Sequence, residues 1–228
     1  MADEQAGSNQ SARSGRRGRP GYDLESLLAV AVAVFNERGY DGTSMEDLSR
    51  RLGISKSSIY HHVSSKEDLL SLALGRALDG LFAVAEEVRA SDVPAIARLE
   101  QLVRASVGVL AAQLPYVTLL LRARGNTSTE RRALARRREF DQIVADLVKA
   151  AEHDGDIRPD VDPAITARLL FGMINSLVEW YRPARLDTAA ARTAELADAV
   201  CAVAFDGLRV ARPDPAGPSR RADARAGR

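Results

Sequence analysis

Apolar residues recur along this chain with a helical period. Leu24, Leu27, Leu28, Ala31, Val34 and Phe35 follow an i, i+3, i+4 spacing that places them on one face of a helix. The alternating Ala and Val between Ala29 and Phe35 would suit a strand, but the longer period favours a helix. Gly39 is expected to end it as a left-handed C′ residue. Ser44-Met45-Glu46-Asp47 then reads as a capping box, with a serine followed three places later by a carboxylate able to reach back to its N–H. A short helix over 45–52 is predicted. Gly53 and Ile54 make a turn, and Ser55 caps a second short helix through His61. Ser65-Lys66-Glu67-Asp68 repeats the start signal and opens a long helix to about Arg89. Further helices are expected at 94–113, 115–124, 128–153, 163–181 and 189–210, with Pro94, Pro115 and Pro163 in first turns where a missing N–H is harmless. The pattern predicts an all-α protein.

Composition fills in the ends. Residues 1–19 are polar, with Arg16, Arg17 and Arg19 and no apolar period, so they read as a disordered basic arm. Residues 212–228, rich in Pro, Gly, Ala and Arg, read as a disordered tail. The net charge is only +1, so an argument for nucleic acid has to rest on where the charges lie. Arginine so outnumbers lysine that its abundance reflects codon usage. The placement of Lys56 and Lys66 is therefore more informative. The longest apolar run, Leu27 to Phe35, is about half of what a membrane span needs, and no leader peptide is expected. A single cysteine, Cys201, fits a reducing cytoplasm.

Three helices by residue 62, the last two short and joined through a glycine turn, are the arrangement that lays one helix into a DNA major groove. The third helix would expose Ser55, Lys56, Ser57, Ser58, Tyr60 and His61 while Ile59 faces the core. Short hydroxyls, a cation and polar-tipped rings suit phosphates and base edges. His61 is expected to face DNA and His62 to pack, and adjacent positions on a helix do not favour one metal held by both. The stretch Gly42-Thr43-Ser44-Met45-Glu46-Asp47-Leu48 with Gly53-Ile54-Ser55-Lys56-Ser57-Ser58-Ile59-Tyr60-His61 and Lys66-Glu67-Asp68-Leu69 resembles the N-terminal domain of TetR-family repressors over about 22–72. That resemblance implies phosphate contacts from Thr43, Tyr60 and Lys66, groove contacts from Lys56, Ser57 and His61, and dimeric binding to a palindromic operator. The basic arm is placed to enter the adjacent minor groove.

The rest of the chain offers little to an enzyme. It has no phosphate-binding Gly-Lys-Ser/Thr loop, no Gly-x-Ser-x-Gly and no His-Glu-x-x-His. A catalytic role is the remote alternative, and no cofactor or metal is expected. Two features give the larger domain chemical character. One is Arg122 and Arg124 followed by a helix carrying Arg131, Arg132, Arg136, Arg137 and Arg138, its buried stripe running through Phe140, Val144, Leu147 and Ala151. An arginine at the stripe's edge, Arg136 or Arg137, has three options: an anion in a pocket, Asp141, or the rim. The other is Glu179-Trp180-Tyr181-Arg182-Pro183, whose tryptophan suits an interface or a pocket wall. Together they resemble TetR-type repressors that respond to acyl-CoA thioesters. The resemblance implies that Arg122, Arg131, Arg137 and Arg138 hold CoA phosphates, with Trp180 and Arg182 near the acyl or pantetheine part. The alternative effector is a non-CoA hydrophobic small molecule such as a drug or antibiotic; a cationic one would call for buried carboxylates and aromatic faces, and this domain is poor in aromatics.

Leu169, Leu170, Met173, Ile174, Leu177 and Val178 form a stripe too wide for one intrachain face, and Leu196, Ala199, Val200, Val203 and Ala204 give the last helix a similar one. A homodimer through a four-helix bundle is expected. The sequence thus divides into an arm (1–19), a helix-turn-helix domain (20–66), a ligand-binding and dimerisation domain (67–211) and a tail (212–228).

Overall fold

The computed structural model describes residues 23–182 and 188–207; the arm with Arg16, Arg17 and Arg19 and the tail from 212 lie outside them. All regular elements among these residues are helical. The chain forms two compact units that part between Ala73 and Leu74, inside a long helix whose start the sequence reading took as the boundary.

The first unit holds α1 (Leu24–Arg38), α2 (Met45–Leu52), α3 (Lys56–Tyr60) and the start of α4 (Lys66–Arg89). Its core is Leu27, Ala31, Val32, Leu48, Ile59 and Leu69, each without solvent exposure. The Ser44–Asp47 box forms in both directions, and the serine hydroxyl and amide hold the Asp47 carboxyl down to about 2. At α4 the box shifts by one residue. Asp68 N–H donates to Ser65 Oγ, but the Asp68 carboxylate accepts from the Ser64 N–H and hydroxyl. The left-handed glycine is Gly53 (φ 66°, ψ 30°), which closes α2. Gly39 instead takes φ 80° with ψ 155°, another region open chiefly to glycine, so it ends α1 without the left-handed turn the sequence suggested.

The second unit contains the rest of α4, α5 (Ala95–Ala112), α6 (Leu114–Arg122), α7 (Ser128–His153), α8 (Pro163–Trp180) and α9 (Ala189–Cys201). Helix α5 is central, lying against α6, α7, α8 and α9. The chain bends by 99° between α5 and α6, where Pro115 in the first turn of α6 tolerates the break. A second capping box, Thr127 with Glu130, starts α7. Along α7 the buried stripe is Phe140, Val144, Val148 and Ala151, with Leu147 only half-buried. Phe140 meets Phe82 of α4 and Phe171 of α8 edge to face, with centroids 5.9 and 5.1 Å away. Helix α9 stops at Cys201, well short of 210, and passes into a π-helical turn over Ala202–Asp206 that Gly207 closes at φ 75°. Among the described residues, no single helix is long and apolar enough to cross a membrane.

Candidate nucleic-acid interface and effector site

Helix α3 is only five residues long and depends on its neighbours for stability, since an isolated helix of that length does not persist in water. Ser55 caps it through the Ser58 N–H, and Ile59 anchors it with no exposed surface. Ser55, Lys56, Ser57, Tyr60 and His61 are all exposed, with Tyr60 at 49%. The serine hydroxyls of 55, 57 and 58 form a small network, Ser55 Oγ lying 2.8 Å from each of the other two. The Lys56 ammonium pairs with Glu46 of α2, and that carboxylate pushes the lysine pKa up. The cation expected in the groove is thus paired with a neighbouring carboxylate.

Three residues differ from expectation. Thr43 is buried, and its hydroxyl donates to Gly39 C=O at 2.7 Å, so that proton is already committed and is not offered to a phosphate. Lys66 Nζ donates to Tyr40 C=O at 2.9 Å and Thr43 C=O at 2.8 Å and lies 4.1 Å from the Tyr40 ring centre. Two of its three N–H bonds therefore bind the α1–α2 turn to α4, a structural duty the sequence did not reveal. His62, expected to pack, is exposed like His61, and Val63 takes the buried position.

In the larger unit the six residues proposed for a ligand have diverse surroundings. Arg131 donates to Gly125 C=O and Asn126 C=O at 3.1 and 3.2 Å, tying down the turn before α7. Arg182 donates to Tyr181 C=O at 3.0 Å and Glu179 C=O at 3.4 Å, closing α8. Arg122 and Arg138 are exposed, and Trp180 is 58% exposed. Arg137 and Arg168 lie close enough to the half-buried Asp141 to counter the upward push that burial gives its pKa. The Phe140–Phe171 contact sets the register of the packed α7 and α8. Arg122, at the end of α6, precedes the α7 turn by only a few residues.

Of the two arginines at the edge of the α7 stripe, both half-buried, Arg136 pairs with Asp79 of α4 at 2.9 Å and stacks 5.0 Å from the Phe82 ring centre, while Arg137 lies near Asp141. Two clefts open elsewhere in this unit. One, of about 330 Å³, is lined by Arg89, Arg98, Asp146 and apolar residues of α7; the other, of about 570 Å³, lies among Ile96, Leu169, Met173, Val203 and Phe205. None of the six proposed ligand residues lines either cleft. No group of three or more His, Cys, Asp or Glu among the described residues could hold a metal ion.

Comparison with known proteins matches this organisation. Residues 27–73 match the family described as bacterial regulatory proteins of the tetR type, and residues 92–208 match the tetracyclin repressor-like C-terminal domain. The HTH-type transcriptional repressor KstR2 of Rhodococcus jostii is 32% identical over 176 residues, covering 76% of this chain and 83% of that protein. A solved TetR-family regulator from Streptomyces coelicolor A3 is 59% identical, with a TM-score of 0.77 over 82% of this chain and 92% of that one. AibR, solved in complex with isovaleryl coenzyme A and operator DNA, is 25% identical with a TM-score of 0.65, covering 81% of this chain and 98% of its own. A capped helix-turn-helix unit followed along the chain by a larger helical domain is the organisation of these regulators and not of enzymes, and the chain belongs to the TetR family of bacterial transcriptional regulators.

Proposed function

We propose that this protein is a cytoplasmic repressor that binds a palindromic operator as a homodimer and leaves it when an acyl-CoA thioester occupies the larger domain. The observation that carries the DNA-binding part is the division of labour in α3, where Ile59 is fully buried while Lys56, Ser57, Tyr60 and His61 face solvent. On this reading a phosphate or base edge displaces Glu46 from Lys56. Lys56→Ala and Tyr60→Ala are expected to weaken operator binding with no loss of fold. Glu46→Gln is expected to strengthen it, because it frees the lysine. Fluorescence anisotropy checks all three, and unchanged affinity throughout would mean that another surface reads DNA.

Support for the dimer comes from α8 and the π-helical turn. Leu170, Ile174 and Leu177 are consumed inside the chain, whereas Ile165, Leu169, Trp180 and Val203 remain 42–65% exposed. Exposed apolar side chains at helical spacing await a partner, and a second copy supplies the matching face of a four-helix bundle. Sedimentation at micromolar concentration is expected to show a dimer.

The acyl-CoA reading rests on the arginines at the α6–α7 junction and on relatives such as AibR, whose structure contains isovaleryl coenzyme A. Arg137 and Arg138, with less committed guanidinium groups than Arg131 and Arg182, become the leading phosphate ligands. Release requires differential affinity for two states, about 5.5 kcal/mol for a swing from 1:99 to 99:1. Titrating the protein–operator complex with phenylacetyl-CoA, fatty acyl-CoAs and free CoA tests it. Thioesters are expected to release DNA from the wild type and to act several-fold more weakly on Arg137→Ala; release only by neutral or cationic compounds would overturn the reading.

A further inference from the structure

The cleft of about 330 Å³ lined by α4, α5 and α7 holds a half-buried arginine, Arg98, at the end of the first turn of α5. Its Nε is buried without an acceptor, and its guanidinium makes no hydrogen bond or ion pair among the described residues. Arg136, also half-buried, shows what such a group ordinarily finds, an ion pair with Asp79 and the face of Phe82. Helix stability does not account for Arg98 either, because the dipole of α5 disfavours a cation near its N-terminal end. Asp146 lines the same cleft, yet its carboxylate accepts from the Gln142 amide at 2.9 Å on its own helix and pairs with neither arginine of the cleft.

The rest of the lining is mostly apolar. Ile143, Leu147 and Ala150 follow one another at i, i+4 and i+7 on one face of α7, and Ala85 of α4 joins them. Arg89, in the last turn of α4, adds a second cation on the solvent side; its exposed pair with Glu86 at 3.5 Å is weak enough to yield to another anion. Two arginines against one aspartate leave the lining with a net charge of +1, which matches a monoanion. A phosphate monoester or CoA would bring uncompensated negative charge into a partly desolvated cleft. The volume lies near the lower end for small-molecule sites, about 300–1,000 Å³, and the lining has no aromatic ring on which a planar ligand could stack.

We infer that this cleft binds a free straight-chain monocarboxylic acid, its carboxylate held by the Arg98 guanidinium and its alkyl chain laid along Ile143, Leu147 and Ala150. A guanidinium presents paired N–H donors at the spacing of a carboxylate, and such charge-assisted bonds are the strong ones. None of the arginines read as CoA ligands lines this cleft, and a thioester carries no free carboxylate on its acyl carbon. The site is therefore separate from the acyl-CoA reading and does not depend on it.

The test is calorimetry on the full-length chain with octanoate, octan-1-ol and octyl phosphate as probes, and thermal unfolding verifies that each variant is folded. Octanoate is expected to bind about tenfold more tightly than octan-1-ol, the worth of a hydrogen bond to a charged group, and more tightly than octyl phosphate. Arg98→Met keeps the apolar stem and should remove the preference for octanoate over the alcohol. Leu147→Phe fills the cleft without touching its charges and should weaken both probes several-fold. Excess free CoA should leave octanoate binding unchanged. Equal binding of octanoate and octan-1-ol, tighter binding of octyl phosphate, a preference that survives Arg98→Met, or full affinity in Leu147→Phe overturns the inference. Competition by free CoA, which would place both ligands in one site, overturns it as well. Release of operator by thioesters with no binding of octanoate keeps the acyl-CoA reading and removes this one. Octanoate binding that is lost in Arg98→Met, with no thioester acting on the operator complex, does the reverse.

Discussion

Lys66→Ala is expected to destabilise the helix-turn-helix unit by roughly 2–4 kcal/mol, the range for losing two hydrogen bonds to a charged donor that is partly solvated. The lysine joins Tyr40 C=O and Thr43 C=O, on the turn between α1 and α2, to the first turn of α4. Without it Thr43 C=O loses this donor, Tyr40 C=O keeps only the Thr43 N–H at 3.2 Å, and the Tyr40 ring loses the cation above it. Lys66→Met, which keeps the apolar stem, should recover only a small part. Urea unfolding followed by far-UV circular dichroism measures the effect. A simple phosphate contact would predict a different result, namely unchanged stability with a salt dependence of DNA binding shallower by about one unit.

Phe140→Ala should have an effect of similar or larger size in the second unit, about 3–5 kcal/mol. The ring is 2% exposed and lies between Phe82 and Phe171, so its removal opens a cavity where α4, α7 and α8 meet. For a domain of this size that corresponds to a fall of roughly 10 °C in Tm. Arg136 stacks on Phe82 while pairing with Asp79, so the cavity also loosens the link between α7 and α4. A loss below about 1 kcal/mol in thermal or denaturant unfolding would show that these aromatics do not form a continuous core.

These two residues show where a linear reading succeeds and where it stops. Local signals are legible because their physics is local. The Ser44–Asp47 box, the Gly53 turn and the apolar face of α1 depend on residues within one or two helical turns, and the structure reproduces all three except that Leu24, at the start of the α1 face, is exposed. The burial of Ile59 beside the exposure of Tyr60 follows from the same helical period. Lys66 could not be read in this way, because its partners are 23 and 26 residues distant and are backbone carbonyls, which leave no mark on the sequence.

The larger domain was harder for the same reason. The sequence put Arg136 or Arg137 at the edge of the α7 stripe with an anion, Asp141 or the rim open to it, and only the packing of α4 separates the two, Arg136 taking Asp79 and Phe82 while Arg137 stays near Asp141. The apolar stripe of α8 was recognised, yet its division between the chain's own core and a free surface depends on how α5 and α7 cover it. Leu170 and Leu169, adjacent in sequence, are 7% and 65% exposed.

The central claim is that α3 reads an operator in a dimer with two-fold symmetry, and selection from a randomised pool of duplex DNA by the full-length chain tests it most directly. The account predicts enrichment of a palindrome with half-sites about one helical turn, ~34 Å, apart, weakened in parallel by Tyr60→Ala and Lys56→Ala. Failure to enrich any sequence, or enrichment of a single asymmetric site that both variants bind as well as the wild type, would contradict it.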